Sequence, residues 1–234
     1  MSNRPLAIVT GVGPGTGAAV VREFSAQGYT VAMIARSSER LASLHSEIPN
    51  TLECPCDVTD TPALNSLIAE LLDSHGTPQA VVHNAVGGAF GDFLDIDPAV
   101  LEQNFQVNTM ALLHLARAVA PAMIDAGSGS LVATGNTAAY RGKAAFAGFA
   151  PTKAAQRILL ESMARRLGPE GIHVAFVAID AVIDLEWTRK RWSDAPDDFF
   201  CQPADIASEV YRIAHQPRSA WSFNVEIRPH GETW

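Results

Sequence analysis

Short apolar runs alternate with longer amphipathic stretches along the whole chain. Runs rich in aliphatic and β-branched residues occupy Leu6–Thr10, Thr30–Ala35, Thr51–Cys56, Ala80–Asn84, Ser130–Thr134, His173–Ile179 and Ser222–Ile227. Between them, helical patterning predicts helices over Thr16–Gln27, Ser38–Ile48, Thr61–Ser74, Pro98–Ala126, Phe146–Leu167 and Pro203–His215. Strands alternating with helices predict βαβ units around a parallel sheet. The runs "LAIVT" and "AVVHN" are apolar throughout, as strands covered on both faces must be. The expected fold class is therefore α/β: a doubly wound parallel sheet of about seven strands with helices on both faces. No repeat or linker divides the chain, so a single domain over residues 1–234 is expected. One segment interrupts the alternation. Asp180–Cys201 is polar, holds Trp187 and Trp192, and follows a strand. Ligands in such sheets sit beyond the carboxyl ends of the strands, so the segment reads either as a substrate loop or lid, or as a surface excursion.

Composition narrows the picture. The 234 residues are 47% hydrophobic and 18% charged, enough to bury a full core. A net charge of −8 argues against nucleic acid or an anionic membrane as partner. No apolar run reads as a membrane span, and the N-terminal "MSNRPLAIVTG" enters the first strand without a cleavage signal, so a cytoplasmic protein is expected. Three sparse cysteines (Cys54, Cys56 and Cys201) suit a reducing compartment. No Cys or His cluster has ligand spacing, and no metal is expected.

The clearest chemical signal lies between the first strand and the first helix. In "VTGVGPGTGAAVV", Gly13, Pro14, Gly15, Thr16 and Gly17 followed by Ala18 fit G-x-G-x-x-A. Gly11, Gly15 and Gly17 also fit T-G-x-x-x-G-x-G. Either way, glycines permit a tight turn and close backbone approach, and the helix N-terminus offers unpaired N–H groups to a pyrophosphate. Placed between a strand and a helix, the motif predicts a dinucleotide site of Rossmann type. The second strand carries no acid at its end to accept a ribose 2′-hydroxyl. It ends in Ala35 and Arg36. Arg36 suits a 2′-phosphate, so NADP(H) is favoured over NAD(H); the competing reading is a solvated arginine at a helix start.

Together these features resemble the short-chain dehydrogenase/reductase family over nearly the whole chain. "TGVGPGTG" looks like its glycine motif. "CDVTD" resembles its adenine-contacting segment, which implies Asp57 and Val58 at the adenine. "HNAVG" is similar to its N-N-A-G segment, which implies Asn84, Ala85 and Val86 at the cofactor. "VNTMA" contains Asn108, which matches the family's helix asparagine that supports a relay water, and "FAPTKAA" looks like its Y-x-x-x-K-A helix. The resemblance implies that Lys153 binds the nicotinamide ribose. It also implies a homodimer or homotetramer built on the helices Pro98–Ala126 and Phe146–Leu167.

The departures sit where the family does its chemistry. Asn136 and Phe149 are thirteen positions apart, the spacing of the family's serine and tyrosine, so Asn136 takes the serine position and Phe149 the tyrosine position. Val86 replaces a glycine, and Ile179-Asp180 replaces a Pro-Gly. Phe149 has no hydroxyl and cannot transfer a proton. Asn136 keeps an amide N–H₂ able to hydrogen-bond a carbonyl oxygen. Candidate replacements for the tyrosine hydroxyl are Tyr140, Asp180 and Asp184, with Thr134 and Thr137 expected to point elsewhere. The catalytic set expected from sequence is thus Lys153, Asn108 and Asn136, in an NADP(H)-dependent oxidoreductase of a carbonyl or alcohol. The alternatives are a non-catalytic NADP(H)-binding sensor, regulatory subunit or scaffold, and an enzyme of another class on the same scaffold. His230 and Trp234 in the tail read as surface packing.

Overall fold

The computed structural model describes residues 4–232; Trp234 lies outside them. The elements in chain order are β1 (Leu6–Thr10), α1 (Thr16–Ala26), β2 (Thr30–Ala35), α2 (Ser38–Glu47), β3 (Thr51–Pro55), α3 (Thr61–His75), β4 (Ala80–His83) and α4 (Pro98–Phe105). There follow α5 (Ala111–Ala126), β5 (Gly129–Gly135), α6 (Ala150–Leu167), β6 (Ile172–Ile179), β7 (Val182–Ile183), α7 (Glu186–Arg191), β8 (Phe200–Cys201), α8 (Pro203–Ala214) and β9 (Asn224–Ile227). Seven strands form one parallel sheet in the order β3-β2-β1-β4-β5-β6-β9.

Strand alternation divides the core in two. Leu6 and Ile8 of β1, with Val81 and Leu131, face Leu64 and Ile68 of α3, Leu112 and Leu115 of α5, and Leu160 of α6. Ala7 and Val9, with Val82 and Val132, face Val20 and Phe24 of α1, Leu41 of α2, and Ile206 and Val210 of α8. The doubly wound sheet expected from the apolar runs is thus the fold.

Three segments differ from the sequence expectation. The helix read as Phe146–Leu167 starts only at Ala150, because Pro151 is tolerated in a first turn but would clash with the carbonyl four residues back deeper in a helix. The stretch Pro98–Ala126 is not one regular helix. A π-turn over Gln106–Met110 separates α4 from α5. By length and hydropathy (29 residues, 1.3) that stretch passes for a membrane span, contrary to the expectation that none would. Its apolarity serves the core, where Leu112, Leu115, Val119 and Met123 are buried. Finally, Asp180–Cys201 is folded rather than irregular: β7 and β8 pair in parallel, with α7 between them.

Candidate active site

The sheet reverses its winding between β1 and β4, and the loops beyond these strands meet there. Gly11 sits at φ +70°, and a Cβ on it would come within 2.4 Å of the Ala85 backbone. A Cβ on Gly17 would lie 2.4 Å from the Gly11 carbonyl oxygen. Only glycine fits this approach at both positions. Asn84 fixes the joint: its Nδ2 donates to the Gly11 carbonyl at 2.9 Å, and its Oδ1 accepts from the Thr134 hydroxyl at 2.8 Å. The Asn84 side chain therefore positions the glycine loop.

The loop has the marks of an anion cradle. Gly15 caps α1 with no side-chain hydrogen bond, so the first N–H groups of the helix are left for a ligand. The Thr16 hydroxyl is buried there with no partner among the described residues. Buried polar atoms are seldom left unpaired, and a phosphate oxygen would complete it. A Cβ on Gly13 would meet open space, and Pro14 is exposed. Arg36 is exposed at the end of β2. Beyond β3, Asp57 accepts from the Thr59 N–H at 2.9 Å and its hydroxyl at 2.8 Å. The Thr59 backbone hydrogen bond holds the Asp57 carboxyl below its usual range, and the Arg36 charge adds to this. Val58 is buried in the core and Ala85 lies under Gly11, whereas Val86 is exposed. These residues fit a dinucleotide.

The opposite side of the site is closed by its own side chains. Asn108 is fully buried in the π-turn. Its Oδ1 accepts from the Gly87 N–H at 2.9 Å, and its Nδ2 donates to the Gly87 carbonyl and the Thr152 hydroxyl, both at 2.8 Å. Asn104 Nδ2 donates to the Gly148 carbonyl at 2.7 Å. Phe149 precedes α6 as its cap, is buried, and accepts at its carbonyl from the Thr152 hydroxyl at 2.7 Å. Lys153 is also buried. Its Nζ lies 5.8 Å from the centre of the Phe149 ring and donates to Gln156 Oε1 at 3.0 Å. Burial pushes its ammonium down to about 7. Behind it, His83 is buried against the Thr10 hydroxyl at 3.0 Å, and burial, with the Lys153 charge, pushes it down to about 3. Asn136 Oδ1 accepts from the Ala138 N–H at 3.1 Å, while its Nδ2 has no protein partner among the described residues.

The proposed stand-ins for a tyrosine hydroxyl are engaged elsewhere. The Tyr140 hydroxyl donates to Asn224 Oδ1 at 2.6 Å, on the edge strand, and its ring lies under Arg157. Asp180 accepts from the Thr137 hydroxyl at 2.6 Å and pairs with Arg141 at 3.1 Å. Asp184 takes a bidentate pair from Arg189, at 2.7 and 2.8 Å, and a bond from Gln202; Arg189, then Gln202, hold it down to about 2. The Thr134 and Thr137 hydroxyls donate to Asn84 and Asp180.

Leu185 escaped the sequence reading. A Cβ on Gly15 would lie 2.6 Å from Leu185 Cδ2, so the segment between β6 and α8 lies against the glycine loop. No local pattern marks that contact. Gln156 was also missed, although its position three residues after Lys153 is a helical neighbour. Two clefts of about 220 and 450 Å³, lined by Phe200, Ile206 and Pro229 and by Ile124, Gly168 and Trp221, involve neither the glycine loop nor the residues around Lys153.

The family model for short chain dehydrogenases matches residues 5–194. The chain belongs to the short-chain dehydrogenase family. It is 32% identical over 189 residues to the L-xylulose reductase of Mesocricetus auratus, covering 80% of this chain and 75% of that protein. It is 27% identical over 227 residues to the 7alpha-hydroxysteroid dehydrogenase of Escherichia coli K12, covering 92% and 88%. A metagenomic short-chain oxidoreductase solved in complex with NADP superposes with a TM-score of 0.85 at 29% identity, over 97% of this chain and 98% of that one.

Proposed function

We propose that this member of the short-chain dehydrogenase family is an NADP(H)-dependent oxidoreductase of a carbonyl or alcohol. In this reading Phe149 stands where the family carries its tyrosine and Asn136 where it carries its serine. The observation that carries the cofactor assignment is the buried, unpartnered Thr16 hydroxyl in the uncapped glycine loop, with Arg36 rather than an acid at the end of β2. The NADP bound by the metagenomic relative supports the same choice. When bound, the dinucleotide supplies the hydride.

The chain's own residues supply position and a proton. Gly11, Gly13, Gly15 and Gly17 let the backbone reach the pyrophosphate, with Pro14 shaping the turn and Thr16 donating its hydroxyl. Arg36 pairs with the 2′-phosphate, Asp57 and Val58 border the adenine, and Ala85 and Val86 flank the cofactor, with Asn84 holding the loop. Asn136 Nδ2 hydrogen-bonds the substrate oxygen. Lys153 holds the proton at Nζ: burial brings its pKa to about 7, close to the working range of a general acid. Asn108 is a positioning residue, tying the Gly87 loop to α6. Self-association as a homodimer or homotetramer is part of the proposal, on the resemblance of Pro98–Ala126 and Phe146–Leu167 to the family's interface helices.

Titration with NADPH and NADH, followed by turnover of carbonyl substrates by wild type and Phe149→Tyr, tests the reading. Tighter binding of NADPH and measurable reduction by wild type are expected. NADPH binding without turnover in either protein would identify a non-catalytic NADP(H)-binding protein, and the absence of dinucleotide binding would overturn the cofactor assignment itself.

A further inference from the structure

The substrate class follows from which polar groups around the site are already spent. Two of the relatives named above act, by their names, on very different molecules: L-xylulose is a small polyhydroxy ketone and a steroid a large apolar body. Sites for polyols need several side chains free to hydrogen-bond hydroxyl groups, and an unpaired hydroxyl or donor in a buried site costs about 1–3 kcal/mol. Here the polar side chains flanking Phe149 are satisfied within the protein. Asn104 bonds Gly148, Asn108 bonds Gly87 and Thr152, and Thr152 bonds Phe149. Two amide donors beside this group are left without a partner among the described residues: Nδ2 of Asn136 and the buried Nε2 of Gln156, whose Oε1 accepts from Lys153.

An aromatic run starts at the same place and leads outward. Lys153 Nζ lies over the buried Phe149 ring at 5.8 Å. Phe146 is 6.3 Å from Phe149, and Phe90 meets Phe146 edge-on at 5.2 Å. The two loops that carry these rings are joined by backbone bonds: Gly91 N–H to the Ala145 carbonyl at 2.9 Å and Ala147 N–H to the Gly91 carbonyl at 3.3 Å. The face is therefore built, not a chance collapse. In the loop that carries Phe90, Val86, Phe90, Phe93 and Leu94 are 62%, 79%, 74% and 78% exposed, a concentration of large apolar side chains in nine residues of sequence. Isolated exposed apolar residues are ordinary, but a dense group marks a contact surface. Phe90 links this one, ring to ring through Phe146 and Phe149, to the candidate proton donor.

We propose that the substrate is a bulky, largely apolar carbonyl compound, aromatic or polycyclic, with few or no hydroxyl groups beside the reacting oxygen. Its body lies along Phe149, Phe146 and Phe90 while its oxygen meets Asn136 and Lys153. The proposal rests on the oxidoreductase reading for the placement of the oxygen, but the apolar face can be tested without turnover.

The test is titration calorimetry of the full chain, with and without NADP⁺, using 1-(2-naphthyl)ethanol and erythritol as probes. The naphthyl alcohol is expected to bind at least tenfold more tightly than erythritol. Phe90→Ser and Phe146→Ser are each expected to weaken it at least fivefold and to leave the NADP⁺ affinity unchanged. Phe90 is largely exposed, so its replacement does not threaten the fold, and Phe93→Ser serves as a second surface variant. Equal or tighter binding of erythritol, or unchanged naphthyl affinity in both Phe90→Ser and Phe146→Ser, would overturn the proposal. So would a drop in molar mass by light scattering in Phe90→Ser, which would assign the face to contact between copies of the chain. Naphthyl binding without reduction of 2-acetonaphthone by NADPH would support the apolar face and count against the oxidoreductase reading. Turnover of small polyhydroxy ketones with no naphthyl preference would do the reverse.

Discussion

The joint from β1 into α1 and the joint from β5 into α6 leave the same sheet at the same edge, yet they are built in opposite ways. The first is held by backbone and left open. Gly11 and Gly17 pack against other backbone atoms, α1 starts without a side-chain cap, and the Thr16 hydroxyl waits for a partner. The second is closed by side chains. Asn108 bonds Thr152, Asn104 and Thr152 bond the backbone carbonyls of Gly148 and Phe149, and Lys153 is buried beside them. An open cradle of N–H groups suits a large anion. A closed, mostly apolar wall with the unpaired amide donors of Asn136 and Gln156 and one amine suits a substrate with few polar groups. The difference is between a joint held by backbone atoms and one held by side chains.

Breaking the open joint should have the largest effect. Gly11→Val combines a positive φ with a clash on the Ala85 backbone, and is expected to cost about 4 kcal/mol of stability. Gly13→Ala, which meets open space, is expected to change it by less than ~0.5 kcal/mol. Urea denaturation of the two variants reads the contrast directly; equal losses would show that the loop is not held by close approach.

In the closed joint, Lys153→Met is expected to lower the rate of carbonyl reduction by about 10²-fold or more, measured as kcat under saturating NADPH. The same residue sets a pH signature. Its folded-state pKa lies near 7, below the ordinary lysine value of 10.5, so above pH 7 the unfolded chain binds the proton that the folded chain has lost. Stability should therefore rise with pH from about 7 towards 10.5, and Lys153→Met should flatten that rise in denaturation curves at pH 7 and 9. Reduction by wild type should fall as pH rises through about 7, as the acid loses its proton. A profile flat to pH 9 would remove Lys153 as the donor.

A smaller effect is expected from Arg36→Ala, which should weaken NADPH binding about 10- to 100-fold, the loss of one charged hydrogen-bonding partner, and leave NADH unchanged. Smallest is Leu185→Ala, which should speed dinucleotide release by about threefold, because Leu185 lies against Gly15 and loop movements often govern release. Stopped-flow displacement measures it, and no change would mean that this contact does not limit release.

Much of the open joint was legible in advance because its causes are local. Glycines at fixed spacing between an apolar strand and a helix, and Arg36 at the end of the next strand, are adjacent in sequence. The closed joint was legible only in part. The thirteen-residue spacing marked Asn136 and Phe149, but the Asn108–Thr152 and Asn104–Gly148 bonds each span 44 residues and leave no local trace. Tyr140 and Asp180 stayed open as proton donors for the same reason, since their partners Asn224 and Arg141 lie 84 and 39 residues away, whereas Asp184 pairs with Arg189 only five residues on.

The sequence by itself determined the alternation of strands and helices, and with it the doubly wound sheet, because burial on both faces demands continuous apolar runs. It also determined the glycine loop, because no other residue tolerates that backbone. Only the tertiary structure decided which polar side chains are spent and which are left over. Hydrogen bonds between distant segments depend on where the sheet brings their ends. The buried amine of Lys153, the unpaired amide of Asn136 and the aromatic run from Phe149 to Phe90 exist only once those ends have met.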